Sequence, residues 1–164
     1  MSACMAGTAD LFSWHYMGLQ ALAITDCCSK REKQERGLLP WGNADEHAMA
    51  EHLVAAAHRG TVLPRMNLWD LSGVIAQASG AVDVDTGLMH VAASMVVPTV
   101  SIFGSTSVAL TGAMGARVVN LHADYECSPC RLKICPKLQG GSPTCYGELG
   151  FSKVWSQLMN LLDQ

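Results

Sequence analysis

With 164 residues, a net charge of −3, and 49% hydrophobic against 15% charged side chains, the chain has room for one domain with a substantial core and is too apolar for intrinsic disorder. It contains no block of Lys or Arg, which excludes the electrostatic footprint of a nucleic-acid-binding protein. No apolar run is long enough for a membrane span, and the opening MSACMAGTADLFSWHYMGLQALAI lacks a basic start and carries Asp10 and His15, so a cytoplasmic protein is expected.

Residues 1–36 show no clear period, and the charged patch from Lys30 to Arg36 reads as a solvated turn. From Gly37 the pattern sharpens: "GLLPWG" reads as a short strand closed by Pro and Gly. "NADEHAMAEHLVAAAH" follows as a helix, with Asn43 and Glu46 forming a variant capping box and Ala48, Leu53, Ala56 and Ala57 assigned to its inward face. "GTVLP" is a second short strand. Asn67 caps a helix in which Leu68, Leu71, Ile75 and Ala78 recur at helical spacing. "GAVDV" is a strand, "GLMHVAASM" a helix, "VPTVSIFG" a strongly apolar strand, "STSVALTG" a polar loop and "ARVVNL" a further strand. The chain ends in an amphipathic helix with Ser152 as its cap and Val154, Trp155, Leu158, Leu161 and Leu162 on one face.

Strands that are continuous apolar runs, alternating with helices, predict a doubly wound α/β domain with a parallel sheet covered on both faces. Such sheets bind ligands at the carboxyl ends of their strands. Asp85, Thr86 and Gly87 fall at one such end and open a helix, whose free amides and dipole favour an anion such as a diphosphate. Gly87 lets a ligand approach the backbone, Thr86 offers a hydroxyl donor, and Asp85 suits sugar hydroxyls better than phosphate. His90 lies one turn on and can donate to a phosphate oxygen. The residues alone equally allow Asp85 to be a plain helix cap and His90 a satisfied core histidine. Aspartic proteases also use Asp-Thr-Gly, but on an all-β fold, and this triplet runs straight into a helix.

Cys127-x2-Cys130-x4-Cys135-x9-Cys145 places four of the seven cysteines in one Gly/Pro-rich stretch. Converging thiolates of this kind can hold zinc, so the four are zinc candidates, but the spacing is not two C-x2-C knuckles. The alternatives are a disulfide clip and reduced thiols packed in a loop. A thioredoxin-type redox site is disfavoured, because the pair does not sit where a strand feeds a helix.

"LPWGNADEHAMAEHL", "VLPRMNLWDLSGVIAQASGAVDVDTGLMHVAASMVVPTVSIFGSTSVALTG" and the later "CSPC…CP" together resemble the C-terminal half of the bacterial lipopolysaccharide heptosyltransferases of glycosyltransferase family 9. The resemblance runs from about Gly37 to the C-terminus. It implies a Rossmann-like domain, half of a GT-B glycosyltransferase, that binds ADP-heptose for inverting transfer to the lipopolysaccharide inner core. It implies further that Glu46 holds the adenosine ribose hydroxyls, that Met66 borders the adenine, and that Asp85, Thr86, Gly87 and His90 embrace the diphosphate and heptose. The loop Gly104, Ser105, Thr106, Ser107 resembles the family's donor-proximal loop, with Ser105 in place of the usual proline. Ser29 and Lys33 in "CCSKREKQ" would match a hydroxyl and a lysine that contact the donor phosphates. The helix expected after them has no room before "ERGLLPWG", so residues 1–36 are either shortened or unrelated.

No cofactor is implied beyond the donor itself, since a helix N-terminus and nearby donors can stabilise departing ADP. In the family the lipid A–core acceptor and the catalytic aspartate belong to an N-terminal half that has no counterpart here, and the complete enzymes would sit peripherally at the inner membrane. The expectation is therefore a donor-binding domain that turns over no acceptor alone. The alternatives are a non-catalytic nucleotide-sugar-binding remnant and a cysteine-cluster metal-binding protein.

Overall fold

A computed structural model describes residues 37–57, 60–139, 142–147 and 149–164; Ser29 and Lys33 lie outside the described residues. Strands β1 (Leu38–Leu39) and β2 (Thr61–Val62) pair in parallel, joined by helix α1 (Ala44–Ala57). After α2 (Leu68–Ile75) come β3 (Ala81–Asp83), α3 (Gly87–Ser94), β4 (Thr99–Phe103), the short α4 (Val108–Thr111) and β5 (Val118–His122). These three strands form a parallel sheet in the order β3-β4-β5, with Asp83 opposite Ser101 and Ser101 opposite Asn120. The chain then makes an antiparallel pair, β6 (Leu138–Gln139) with β7 (Ser142–Pro143), the one-turn α5 (Thr144–Gly147) and the closing α6 (Phe151–Leu162).

The expected α/β architecture is present, with helices on both sheet faces. Alternation along β4 explains how. Val100 and Ile102, with Val82 from β3, meet Leu53, Trp155, Leu158 and Leu161 from α1 and α6. On the opposite face Ala81 packs with Leu88 and Ala92 of α3 and with Leu71 and Ile75 of α2, while Phe103 meets Met89 and Ala93. Every residue of β3 and β4 is buried, as a strand covered on both sides requires.

Several local expectations need correction. The inward face of α1 is Ala50, Leu53 and Ala57, spaced three and four residues apart, whereas Ala48 and Ala56 are exposed. On α2 Leu71 and Ile75 are buried but Leu68 is 61% exposed, because the first turn overhangs the core. α6 begins two residues sooner than Ser152 suggested: Gly150 is its N-cap, and Ser152 lies inside the helix. The hairpin β6–β7 falls in a stretch read as an irregular loop.

The Asn67 cap is present, its side-chain oxygen accepting from the Asp70 amide at 3.0 Å. α3 closes with the Val97 amide donating to Ala92 and the Val96 amide to Ala93, each at 3.1 Å. That Schellman pattern needs a left-handed residue, and the chain supplies Val96 (φ 59°) where glycine is usual.

Candidate functional site

The expected donor-site residues that lie within the described region follow the carboxyl ends of parallel strands. Glu46 stands in the first turn of α1, after β1; Met66 follows β2; Asp85, Thr86, Gly87 and His90 follow β3; Gly104 to Ser107 follow β4. Because β1 pairs with β2 and β3 with β4, the exits come in two neighbouring pairs. The first pair is tied by the Trp41 indole, whose Nε1 donates to the Leu63 carbonyl at 2.7 Å.

Glu46 and Asn43 form the capping box. The Asn43 side chain accepts from the Glu46 amide at 3.0 Å, and one Glu46 carboxylate oxygen accepts from the Gly42 amide at 2.7 Å. The second carboxylate oxygen gives the half-buried side chain capacity for a further donor. Met66 is half-buried, its side chain packed against the cluster around Leu63, Leu71 and Ile75. That placement fits a core-filling role.

At the β3 exit the helix cap is Thr86, not Asp85. Asp85 adopts a left-handed backbone (φ 42°), which turns the chain from β3 into α3. A left-handed non-glycine residue costs about 1 kcal/mol or more, and such strain gathers at functional turns. Thr86 accepts from the Leu88 amide at 3.3 Å and donates its proton to Asp83. Its hydroxyl is thus already committed inside the turn, unlike the free donor expected from the sequence. His90 is exposed in the first turn of α3, which removes the core-histidine reading.

Two residues missed in the sequence organise this end. Asp83 is 2% exposed and accepts from the Val84 amide at 2.7 Å and from the Thr86 hydroxyl. Burial pushes its carboxyl up to about 6, with the nearby charge of Asp85 acting in the same direction and the hydrogen bonds opposing it. Its period-two position in "AVDVD" made it look like an ordinary strand residue, although a carboxylate on a strand's buried face is itself a signal. Tyr146, on α5, lays its ring against Gly104, where an added Cβ would come within 2.7 Å of two ring carbons. Burial, together with the charges of Cys145 and Asp85, pushes its phenol up to about 12, so it stays a hydroxyl donor.

The β4 exit is held by the cysteine loop: the Ser128 hydroxyl donates to the Gly104 carbonyl, and the Arg131 amide donates to Ser105 at 2.7 Å. Cys127, Cys130, Cys135 and Cys145 line one cavity of about 160 Å³ with Gly104 and Tyr146. All four are free thiols, and no group of three or more His, Cys, Asp or Glu among the described residues is arranged to hold a metal ion. Burial pushes the Cys145 thiol up. Among the described residues no helix is long and apolar enough to cross a membrane.

The profile of glycosyltransferase family 9 (heptosyltransferase) matches residues 30–139, about two thirds of the chain. The chain belongs to glycosyltransferase family 9. The match takes in Lys33 and stops short of Ser29. Among family 9 relatives, lipopolysaccharide heptosyltransferase 1 of Pseudomonas aeruginosa is 39% identical over 135 residues, covering 76% of this chain and 38% of the relative. The enzyme of the same name from Escherichia coli K12 is 38% identical over 88 residues, 54% of this chain and 28% of the relative. Among solved structures, the E. coli heptosyltransferase WaaC with ADP superposes with a TM-score of 0.62 at 26% identity, covering 79% of this chain and 35% of that one. WaaC with ADP-2-deoxy-2-fluoro heptose gives 0.58 at 25% identity over 79% and 34%. The chain thus spans well under half the length of these relatives.

Proposed function

We propose that this family 9 chain binds the nucleotide part of ADP-heptose across the carboxyl ends of β1 to β4, as the donor side of a heptosyltransferase acting on the lipopolysaccharide inner core. The observation that carries the reading is the β3–α3 turn. A strained Asp85, a Thr86 cap and an exposed Gly87 open an eight-residue helix at the end of a parallel strand. Helix-start amides and the helix dipole attract a diphosphate, and Asp85 accepts from heptose hydroxyls. His90, exposed beside them, donates to a phosphate oxygen. Glu46 grips the ribose, and the backbone at Met66 meets the adenine. Ser105 and Thr106 approach the donor from the β4 exit, and Ser29 and Lys33 are further phosphate contacts.

Charge leaving with ADP is stabilised by fixed dipoles of the helix start, which need no reorganisation during transfer. The general base and the lipid A–core acceptor come from outside the residues assigned here, so the chain alone binds donor without transferring heptose. Free thiols suit a reducing compartment, and the reaction is placed at the cytoplasmic face of the inner membrane, with peripheral association of the complete enzyme.

Calorimetry with ADP and with ADP-heptose tests the reading. Glu46→Ala removes hydrogen-bonding to the ribose and should weaken binding of both ligands, and Asp85→Ala removes hydrogen-bonding to the heptose and should weaken binding of ADP-heptose; for bonds to a charged group each loss should be about tenfold. Unchanged affinity in both variants, or no binding by the unaltered chain, refutes it.

A further inference from the structure

The Thr86 hydroxyl poses a chemical difficulty for an anion site. Its proton is given to Asp83, and its oxygen receives the Leu88 amide, so it has nothing to offer a phosphate. An ionised Asp83 therefore withdraws this donor from the place where a diphosphate would sit, and adds a negative charge beneath it.

We infer that Asp83 is the positioning residue of this site, taking up one proton when a diphosphate binds and thereby releasing the Thr86 hydroxyl to the ligand. This rests on the diphosphate reading above. The proton comes from solvent and settles on the Asp83 oxygen that faces Thr86. The neutral carboxyl then donates to Thr86 Oγ1, which still accepts from Leu88, and the Thr86 proton turns to a phosphate oxygen. One hydroxyl with one proton and two lone pairs accommodates that set. The carbonyl oxygen of the neutral acid still accepts the Val84 amide.

The surroundings favour this exchange. Asp83 is buried and already holds its proton more tightly than an ordinary carboxyl. Asp85, in the same turn, is the charged group that acts on it, and its sign favours the neutral form. β4 presents no titratable side chain; opposite Asp83 it places Ser101, whose buried hydroxyl has no hydrogen-bond partner among the described residues. α3 contributes His90, one turn along and exposed. Among the described residues no lysine or arginine acts on Asp83, and a bound diphosphate adds a further negative charge that raises the carboxyl again.

The test is calorimetry of ADP binding to the full chain near pH 7 in two buffers of different ionisation enthalpy, repeated from pH 5.5 to 8. The β-phosphate of ADP titrates in this range in every protein compared, so the quantity read is the difference between the unaltered chain and Asp83→Asn, which is neutral at all pH values. The unaltered chain should take up close to one proton more than the variant, and above pH 6 its affinity should fall up to about tenfold more per pH unit. Asp83→Asn, which imitates the neutral acid, should bind ADP increasingly more tightly than the unaltered chain as pH rises above 6. Equal proton numbers in the two proteins overturn the inference while leaving the donor-site reading intact; no ADP binding by the unaltered chain overturns both. Should Asp83→Asn fail to fold, Thr86→Ser and Thr86→Val replace it. Uptake should persist in the first and drop in the second, and equal uptake in both overturns the inference.

Discussion

The buried carboxylate of Asp83 makes a prediction about stability that needs no ligand. An ordinary aspartate titrates at 3.8, and burial in the folded chain pushes this one up to about 6. Between those values the unfolded chain has lost its proton while the folded chain still holds one, so stability falls as pH rises through the window. Below about pH 4 both states are protonated and the full contribution is present; above about pH 6 it is gone. A rise from 3.8 to about 6 corresponds to about 3 kcal/mol at ~1.4 kcal/mol for each tenfold. Asp83→Asn keeps the shape and an acceptor for the Val84 amide but cannot ionise. Urea unfolding of both proteins at several pH values from 4 to 7.5, taken as a difference, isolates this group from all other carboxyls. The unaltered chain should lose about 3 kcal/mol relative to the variant across the window. Parallel curves would refute the assignment of a buried, destabilised carboxylate at β3.

Val96→Gly should stabilise the chain by about 1 kcal/mol in the same unfolding assay, since the left-handed C-terminal residue of α3 carries a β-branched side chain that is 54% exposed. Lower stability would mean that Val96 packs more than its exposure shows. Gly104→Ala should destabilise by about 1–3 kcal/mol, because its Cβ would press on the Tyr146 ring and lie 3.1 Å from the Cys145 sulfur. Adding Tyr146→Ser should recover part of that loss, and strict additivity of the two changes would argue against the contact.

The α/β class was legible because short strand-like stretches around Val82, Val100 and Ile102 alternate with helical ones, and α6 carries Val154, Trp155, Leu158 and Leu161 at helical spacing. The Asn67 cap was legible because its chemistry is local. Ala48 was misassigned because a helix as rich in alanine as α1 has little amphipathic contrast to mark its inner face. Gly150 displaced Ser152 as a cap without supplying any side-chain bond, so no residue-type signal pointed to it. For the hairpin, the Gly-Gly between β6 and β7 was an available turn signal. The strand-to-helix turn was readable in Asp85, Thr86 and Gly87. Its supports were not: Asp83 acts through a hydroxyl three residues on, and Tyr146 reaches Gly104 from a segment more than forty residues away. Neither relation leaves a periodic trace.

The two parallel sheets are unequal in a way that bears on how a nucleotide would enter. β1 and β2 share a ladder only two residues long, tied at the exits by the Leu63 amide donating to Leu39 and by the Trp41 indole, whereas β4 is paired along five residues with β5 and buried throughout. Amide exchange should accordingly find the Glu46 end opening at far lower cost than the Asp85 end. A ligand anchored first by its phosphates on the firm side would then draw the yielding side closed around its nucleoside.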